Sequence, residues 1–297
     1  MSILVDFNQV MIATISAGSS VFGSELNPDM IRHMFLSSIV GYKKKFGAKY
    51  GEIIVCCDGP GSWRKEFFPY YKAKRAQGRA DSPLDWEMIF ATLTSMYTEI
   101  DEFFPYKIVR VDRAEGDDVV AILAKYLQTN ELTYKGLEEA KQDIIVISSD
   151  GDFIQLQEYG NVEQWSPMFK KLVREANPRL YRFNKIIGGD AGDGVPNVFS
   201  DDDIFVCEPK RRQTPATEKR IAPILEAALA GTKIPVEHER NYDRNKTCID
   251  LMECIPKDIE DAIIECYKNA KVSPRSELLS YFMKFRLKNL ASDIGKF

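Results

Sequence analysis

Nine acidic side chains stand out by type and place: Asp6, Asp58, Glu115, Asp117, Asp118, Asp150, Asp152, Asp190 and Asp193. Asp6, Asp58 and Asp150 each close a short β-branched run, as does the weaker candidate Asp112. The remainder fall in Glu115-Gly116-Asp117-Asp118, in Asp150-Gly151-Asp152 and in the glycine-rich Gly189-Asp190-Ala191-Gly192-Asp193-Gly194. A single aspartate after a strand is most often a turn former or a helix cap. Charge at a helix N-terminus is worth only about 0.3–1 kcal/mol, and three carboxylates in four residues exceed what a helix dipole needs. If all nine converge, their repulsion in a low-dielectric cleft must be offset by cations. Oxygen donors with no histidine or cysteine among them select Mg²⁺ or Mn²⁺. Two such ions about 3.5–4 Å apart can activate water and stabilise both the entering and leaving oxygens of an in-line displacement at phosphorus.

Residues 64–79 carry a different chemistry. Arg64, Lys65, Lys72, Lys74, Arg75 and Arg79 face only Glu66, and Phe67, Phe68, Tyr70 and Tyr71 are interleaved with them. Cations meet phosphates and aromatic rings stack on bases, so this segment is a local nucleic-acid footprint in a chain of net charge −4. Gly78-Arg79-Ala80-Asp81-Ser82-Pro83 is expected to be poorly ordered without ligand, giving a mobile basic arm ahead of a helix that starts near Leu84 or Asp85.

Four runs are read as strands: Ile3-Leu4-Val5, Ile53-Ile54-Val55-Cys56-Cys57, Lys107-Ile108-Val109-Arg110-Val111 and Ile144-Ile145-Val146-Ile147. Continuous apolar runs suit strands covered on both faces. Helical spacing over residues 28–47, 85–103 and 117–127 alternates with them, which predicts an α/β fold with a mainly parallel central sheet flanked by helices. Ligands of such sheets bind outside the carboxyl ends of the strands, where Asp6, Asp58 and Asp150 would gather. The length of 297 residues allows one large domain with a smaller partner, and 44% hydrophobic with 28% charged residues excludes a disordered chain. No run approaches 18 apolar residues, and no basic and apolar leader precedes Ser2-Ile3-Leu4-Val5, so a cytoplasmic protein with no membrane role is expected. The six cysteines show no CxxC pair and are read as free thiols of a reducing compartment.

Taken in order, Asp6, Asp58, the segment Trp63-Arg64-Lys65-Glu66-Phe67-Phe68-Pro69-Tyr70-Tyr71-Lys72-Ala73-Lys74-Arg75, Glu115-Gly116-Asp117-Asp118, Ser149-Asp150-Gly151-Asp152-Phe153 and Gly189-Asp190-Ala191-Gly192-Asp193 resemble the flap endonuclease and 5′-nuclease superfamily. Gln164-Trp165-Ser166-Pro167-Met168, Ser280-Tyr281-Phe282 and the closing Phe297 resemble its T-even-phage ribonuclease H branch, which is distinct from the cellular ribonuclease H fold. The resemblance covers nearly the whole chain. It implies 5′ to 3′ exonuclease and flap endonuclease cutting that removes RNA primers and adjacent DNA from lagging-strand fragments, in the cytoplasm of an infected bacterium. It also implies an α/β nuclease domain over 1–180 with a basic arch near 64–84, a small helical duplex-binding domain over 181–245, and C-terminal helices over 246–297 packing back on the first domain. Carried over residue by residue, Asp6, Asp58, Glu115, Asp117 and Asp150 would surround a first Mg²⁺, with Mn²⁺ able to substitute. Asp152 and Asp193 would serve a second ion, and Asp118 and Asp190 would act directly or through water. Lys72 and Arg75 match arch cations aimed at the scissile phosphate. Arg64, Tyr71, Lys74 and Arg79 are further substrate-contact candidates.

Beyond Val198 the resemblance weakens. A glycine-rich helical hairpin with a monovalent-ion site is usual there, whereas this chain has Phe199-Ser200-Asp201-Asp202-Asp203 and Lys210-Arg211-Arg212. Duplex contact is expected from Lys210, Arg211, Arg212, Lys219 and Arg220, and Asp201 to Asp203 are read as exposed loop charge. Helices are expected over 221–230, 259–267 and 278–290. The expected substrates are RNA–DNA hybrid and flapped or nicked duplex DNA, and the implied partners are a single-strand-binding protein and a sliding clamp around a monomer. Two other readings compete: a Mg²⁺ phosphotransferase or Toprim-like enzyme, which leaves the basic aromatic segment unexplained, and a noncatalytic structure-specific DNA-binding subunit.

Overall fold

The computed structural model describes residues 1–22, 26–134 and 142–297. The four apolar runs form β1 (Ser2–Asp6), β2 (Glu52–Cys57), β3 (Lys107–Arg110) and β4 (Ile144–Ile147). With β5 (Val162–Ser166) and β6 (Lys171–Val173), they build a six-stranded sheet in the order β3-β2-β1-β4-β5-β6. All neighbours pair in parallel except β6, which runs antiparallel to β5. The chain goes outward from β1 through β2 to β3, then crosses back to place β4 on the other side of β1. That reversal opens a crevice at the carboxyl ends of β1 and β4, the usual ligand position in such sheets.

Apolar residues facing up and down from one strand bury against different helix layers. Ile3, Val5, Ile53 and Val55 pack on one face with α1 (Phe7–Phe22), α2 (Pro28–Tyr50) and α5 (Trp86–Phe103). Leu4, Ile54 and Val146 pack on the other with α6 (Gly116–Tyr134) and α10 (Lys257–Asn269). Local chemistry sets the helix starts. Asn27 accepts from the Met30 N–H with Pro28 in the first turn, Asp85 accepts from the Met88 N–H, and Asn177 with Pro178 starts α7 (Pro178–Gly188).

A third core joins α7, α8 (Glu218–Ala230) and α9 (Val236–Ile249) through Phe183, Ile186, Ile224, Tyr242 and Ile249. Phe68 and Tyr71 belong to this helical core, so the foot of the basic segment is built into it. The segment itself comprises α3 (Trp63–Phe67), a turn and α4 (Arg75–Ala80). Residues 78–80, expected to be poorly ordered, are therefore the last turn of α4.

The tail returns to the sheet. Ile259 and Ile263 of α10 are buried beside α6, while Leu278 and Phe282 of α11 (Glu277–Lys284), Leu290 of α12 (Lys288–Ala291) and the terminal Phe297 close the opposite face. The single helix expected over 278–290 is two, because Arg286 takes a left-handed φ of 54° that no continuous helix accommodates. All six cysteines are free, and among the described residues no helix is long and apolar enough to cross a membrane.

Phe297 is buried against Phe104 and Phe282, with ring centroids 5.6 and 5.2 Å away. Phe297→Ala should cost about 3 kcal/mol of stability, within the usual range for emptying a buried aromatic site, read as a lower urea midpoint at unchanged m-value. An unaltered midpoint would mean that the terminus does not pack on the sheet.

Candidate metal centre and nucleic-acid cleft

Five carboxylates meet at the carboxyl end of the sheet. Asp6, the last residue of β1, accepts from the Ser148 hydroxyl at 2.8 Å and the Gln9 N–H at 3.1 Å. Asp58 follows β2 and accepts from the Gly116 N–H at 2.7 Å, which seats the start of α6 against the strand. Glu115 and Asp117 come from that helix start, and Asp150 from the turn after β4, where it caps a 3-10 helix by accepting from the Asp152 N–H. All five line one open cleft of about 1570 Å³, together with Lys72, Arg75 and Arg79 of the basic arm.

Burial dominates the electrostatics of this layer. It pushes Asp6 up to about 7 despite the bonds from Gln9 and Ser148, and it also raises Asp58 and Asp150. Asp117 is raised well above the carboxylate range by burial, then by the charges of Asp6 and Asp150. No hydrogen bond or close ion pair reaches Asp117 among the described residues. These groups are held in the wrong charge state for their surroundings unless further positive charge arrives.

A second layer, Asp152, Asp190 and Asp193, faces the first across two lysines. The Lys72 ammonium lies 2.6 Å from Glu115 Oε1 and 3.6 Å from Asp193 Oδ2, and the Arg75 guanidinium donates to Asp193 at 2.5 Å. Burial works to raise Asp193, but Lys72 and Arg75 hold it below the usual range. Lys185 of α7 pairs with Asp152 and lies 3.1 Å from Asp190 Oδ2. The aspartate turn is closed by paired backbone bonds between Asp190 and Val195. Gly194 (φ 74°) has no room for a side chain, since a Cβ there would lie 2.8 Å from the Tyr70 carbonyl oxygen. The Lys72 N–H donates to the Asp193 carbonyl at 2.7 Å, so arm and turn are stitched together.

Several sequence expectations are corrected. Asp118 is fully buried, and both its oxygens are engaged: Oδ1 by Arg64 at 2.8 Å, Oδ2 by Arg64, the Trp63 indole N–H and the Glu115 N–H. It has no lone pair facing the cleft and is an internal counter-charge instead of a metal ligand. Arg64 is 2% exposed and also donates to the Cys248 carbonyl, so it cannot face a substrate. Tyr71 is likewise buried, its hydroxyl 2.8 Å from Glu115 Oε2 and 2.9 Å from Asp193 Oδ2. Asp112 is exposed and outside the cleft lining. Asp201 is exposed, as expected of loop charge, and pairs with Arg211 beside Asp203, while Asp202 is half-buried against Arg240 and Arg244; Arg211 itself stays exposed.

Lys74 is exposed on the arm, and Arg79 sits over the Phe90 ring at 5.6 Å. Lys210, Arg212, Lys219 and Arg220 are exposed on the helical side and do not line the cleft; Arg220 lies over the Phe199 ring. Sequence reasoning missed Lys185, although a cation five residues before Asp190, on the helix leading into the aspartate turn, was a usable signal. It also missed Lys45, 3.1 Å from the centre of the Trp165 ring, and the exposed Met168 and Lys170 of the β5–β6 turn, all lining the cleft. Met168 ends the Gln164-Trp165-Ser166-Pro167-Met168 segment that carries part of the resemblance, but without a site role, whereas Lys45 and Lys170 are dispersed in sequence and left no motif.

Two measurements follow from this electrostatic arrangement. An acid whose folded pKa stands above its unfolded value binds its proton more tightly when folded, so its stabilising contribution is lost as pH rises through that interval. For Asp6 the interval runs from 3.8 to about 7, while lowered groups such as Asp193 are ionised in both states above about pH 5. In chelator, the melting temperature should therefore fall between pH 5 and 8, and a rise would contradict the assignment. Asp117→Asn should raise the ion-free denaturation midpoint at neutral pH by removing a carboxyl group whose ionisation the fold opposes. Asp118→Asn should lower stability by about 3 kcal/mol by breaking a buried pair, and the same sign for both variants would erase the distinction between them.

The comparisons with known proteins agree with this geometry. Residues 23–181 match the family model described as 5′-3′ exonuclease, N-terminal resolvase-like domain, and residues 177–297 match that described as T4 RNase H, C terminal. The chain is 34% identical to the ribonuclease H of Enterobacteria phage T4, over 99% of this chain and 95% of that protein. In fold it is similar to the T5 5′-exonuclease solved with zinc (17% identity, TM-score 0.59, covering 91% of this chain and 100% of that one). It is also similar to the bacteriophage T5 flap endonuclease solved as a pseudo-enzyme-product complex with DNA and metal ions (19% identity, TM-score 0.59, 90% and 99%). With more than half its length matched by the family model and a full-length relative above 30% identity, the chain belongs to the 5′-3′ exonuclease family, in the branch of phage T4 ribonuclease H.

Proposed function

We propose that this protein is a divalent-metal-dependent 5′-nuclease, acting as 5′ to 3′ exonuclease and flap endonuclease to remove RNA primers and adjacent DNA from lagging-strand fragments during phage replication. The observation that carries it is the convergence of Asp6, Asp58, Glu115, Asp117 and Asp150 on one cleft flanked by a basic arm, in a chain of this family. The donor set suits hard divalent ions: every candidate ligand is a carboxylate, and Asp117, half-buried in the cleft wall, has no hydrogen bond or ion pair among the described residues. Asp6, Asp58, Glu115, Asp117 and Asp150 would hold a first ion, and Asp152, Asp190 and Asp193 a second, with Mg²⁺ the natural ion and Mn²⁺ a substitute. When bound, such ions supply the charge that activates water and stabilises the phosphorane-like transition state.

The chain's own residues do the rest. Lys72 and Arg75 stand at the cleft where a scissile phosphate would sit and offset its developing charge. Lys74 and Arg79 guide the single strand along the arm, while Lys210, Arg212, Lys219 and Arg220 meet duplex backbone on the helical side. Substrates are RNA–DNA hybrid and flapped or nicked duplex DNA. A single-strand-binding protein and a sliding clamp are the expected partners of a monomer working in the infected-cell cytoplasm.

Purified protein with Mg²⁺ should cut a 5′-flapped duplex near its junction and an RNA-primed duplex from its 5′ end, releasing 5′-phosphorylated products, with no cutting in chelator. Asp150→Asn and Lys72→Ala should each reduce single-turnover rates by roughly 10²–10³-fold, the scale of losing one transition-state contact. Selective, tight binding of these substrates with no cleavage in Mg²⁺ or Mn²⁺ would instead favour a noncatalytic DNA-binding subunit.

A further inference from the structure

Four of the eight carboxylates at the cleft are paired with lysines. Lys72 stands between Glu115 and Asp193, and Lys185 between Asp152 and Asp190. An ammonium 2.6 Å from Glu115 Oε1 occupies the space that an ion ligated at about 2.1 Å would need, and both compete for the same lone pairs. The two lysines also report to different parts of the chain. Lys185 lies on α7, which leads directly into the aspartate turn. Lys72 lies in the arm at a left-handed φ of 56°, a costly backbone state for a residue with a side chain. Beyond it, Arg75 to Asp193 is the next ion pair that holds the arm on the pocket.

We propose that Lys72 and Lys185 are built-in counter-cations: they hold Glu115 and the second-layer carboxylates in the ion-free protein, and divalent ions enter only by expelling them. Expulsion of the Lys72 ammonium frees its side chain while the Lys72 N–H stays on the Asp193 carbonyl, and an ion taking Asp193 also releases Arg75. The arm then presents Lys72, Arg75 and Arg79 to phosphate only after the pocket is charged with metal. The order of events is thereby set as ions first, backbone phosphate second. This inference rests on the metal-dependent reading of the site.

The test uses the full chain without nucleic acid. Mg²⁺ binding is followed by titration calorimetry for the natural protein, Lys72→Met and Lys185→Met. Each variant should tighten at least one binding event by about tenfold, the effect of removing a competitor that contributes near 1.4 kcal/mol. In parallel, wild-type protein carrying ¹³Cε-lysine, with signals assigned through Lys72→Arg and Lys185→Arg, should show both resonances moving on Mg²⁺ saturation to the positions of exposed lysines. This second readout stands even if a methionine variant fails to fold. Absence of Mg²⁺ and Mn²⁺ binding by the natural protein would sink the metal reading itself. Binding that is equal or weaker in both variants, or resonances that stay in place while the ions bind, would overturn the counter-cation role and leave the metal reading intact.

Discussion

Bringing eight carboxylates to one end of a sheet costs electrostatic energy that no amount of apolar packing removes, and the rest of the molecule is arranged around that cost. Part is met by fixed hydrogen bonds, such as the Ser148 hydroxyl on Asp6 and the Gly116 N–H on Asp58. A second part is met by Arg64, buried against Asp118 and Glu115. Buried ion pairs add little net stability, yet breaking one is expensive, so their effect is to fix geometry. Arg64 does so for three elements at once: it starts α3 and hence the arm, pairs with α6 through Asp118, and donates to the Cys248 carbonyl of α9. Its position thereby ties the nuclease sheet to the helical part.

The arm is accordingly two structures in one sequence. Its foot, Phe68 and Tyr71, is core of the helical cluster, and its outer half, from Lys74 through Ala80, is mostly exposed. The interleaving of aromatic and basic residues serves both. Phe68 and Tyr71 anchor, whereas Phe67 and Tyr70 remain exposed on the surface beside them. A segment pinned at its foot by packing and beyond it by the ion pairs of Lys72 and Arg75 and the ring contact of Arg79 is sensitive to charge, because ions and phosphates compete for the pairs and not for the buried rings.

What the sequence revealed, and what it hid, follows the range of the interactions. Continuous β-branched runs are a local signal, and β1 to β4 were legible from them. β5 was not, because Val162-Glu163-Gln164-Trp165-Ser166 buries a glutamine whose side-chain amide donates to the Ser148 and Asp150 carbonyls, and polarity masks a core position. Asp117 and Asp118 are adjacent residues of one type, and only the resemblance set them apart, as a first-ion ligand and as a group acting directly or through water. They lie about 100° apart around α6, so one faces the cleft and the other faces an arginine 54 residues earlier in the chain. Arg64 looked like surface charge for the same reason, since its partners are distant in sequence. Carboxylates at strand ends are legible when the backbone alone places them; their counter-charges are not.

Rigidity and compliance are divided between the two sides of the cleft. At the crevice between β1 and β4, the Ser148 hydroxyl donates to Asp6 and accepts from the Asp150 N–H at 3.1 Å, and Gln164 holds the Asp150 carbonyl from β5. Strand ends that diverge at a topological reversal are thus cross-tied by one serine and one glutamine, neither of them a candidate ligand. Ions about 4 Å apart require donors fixed to a few tenths of an ångström, and only the sheet side supplies that. On the opposite side the candidate ligands Asp190 and Asp193 come from a glycine-closed turn whose side-chain ties are to Lys185 and to the arm and not to the sheet. A pocket with one wall tied by hydrogen bonds to the sheet and one tied by ion pairs divides the work: the first sets the distances between candidate ligands, and the second is the one whose partners ions and phosphates compete for.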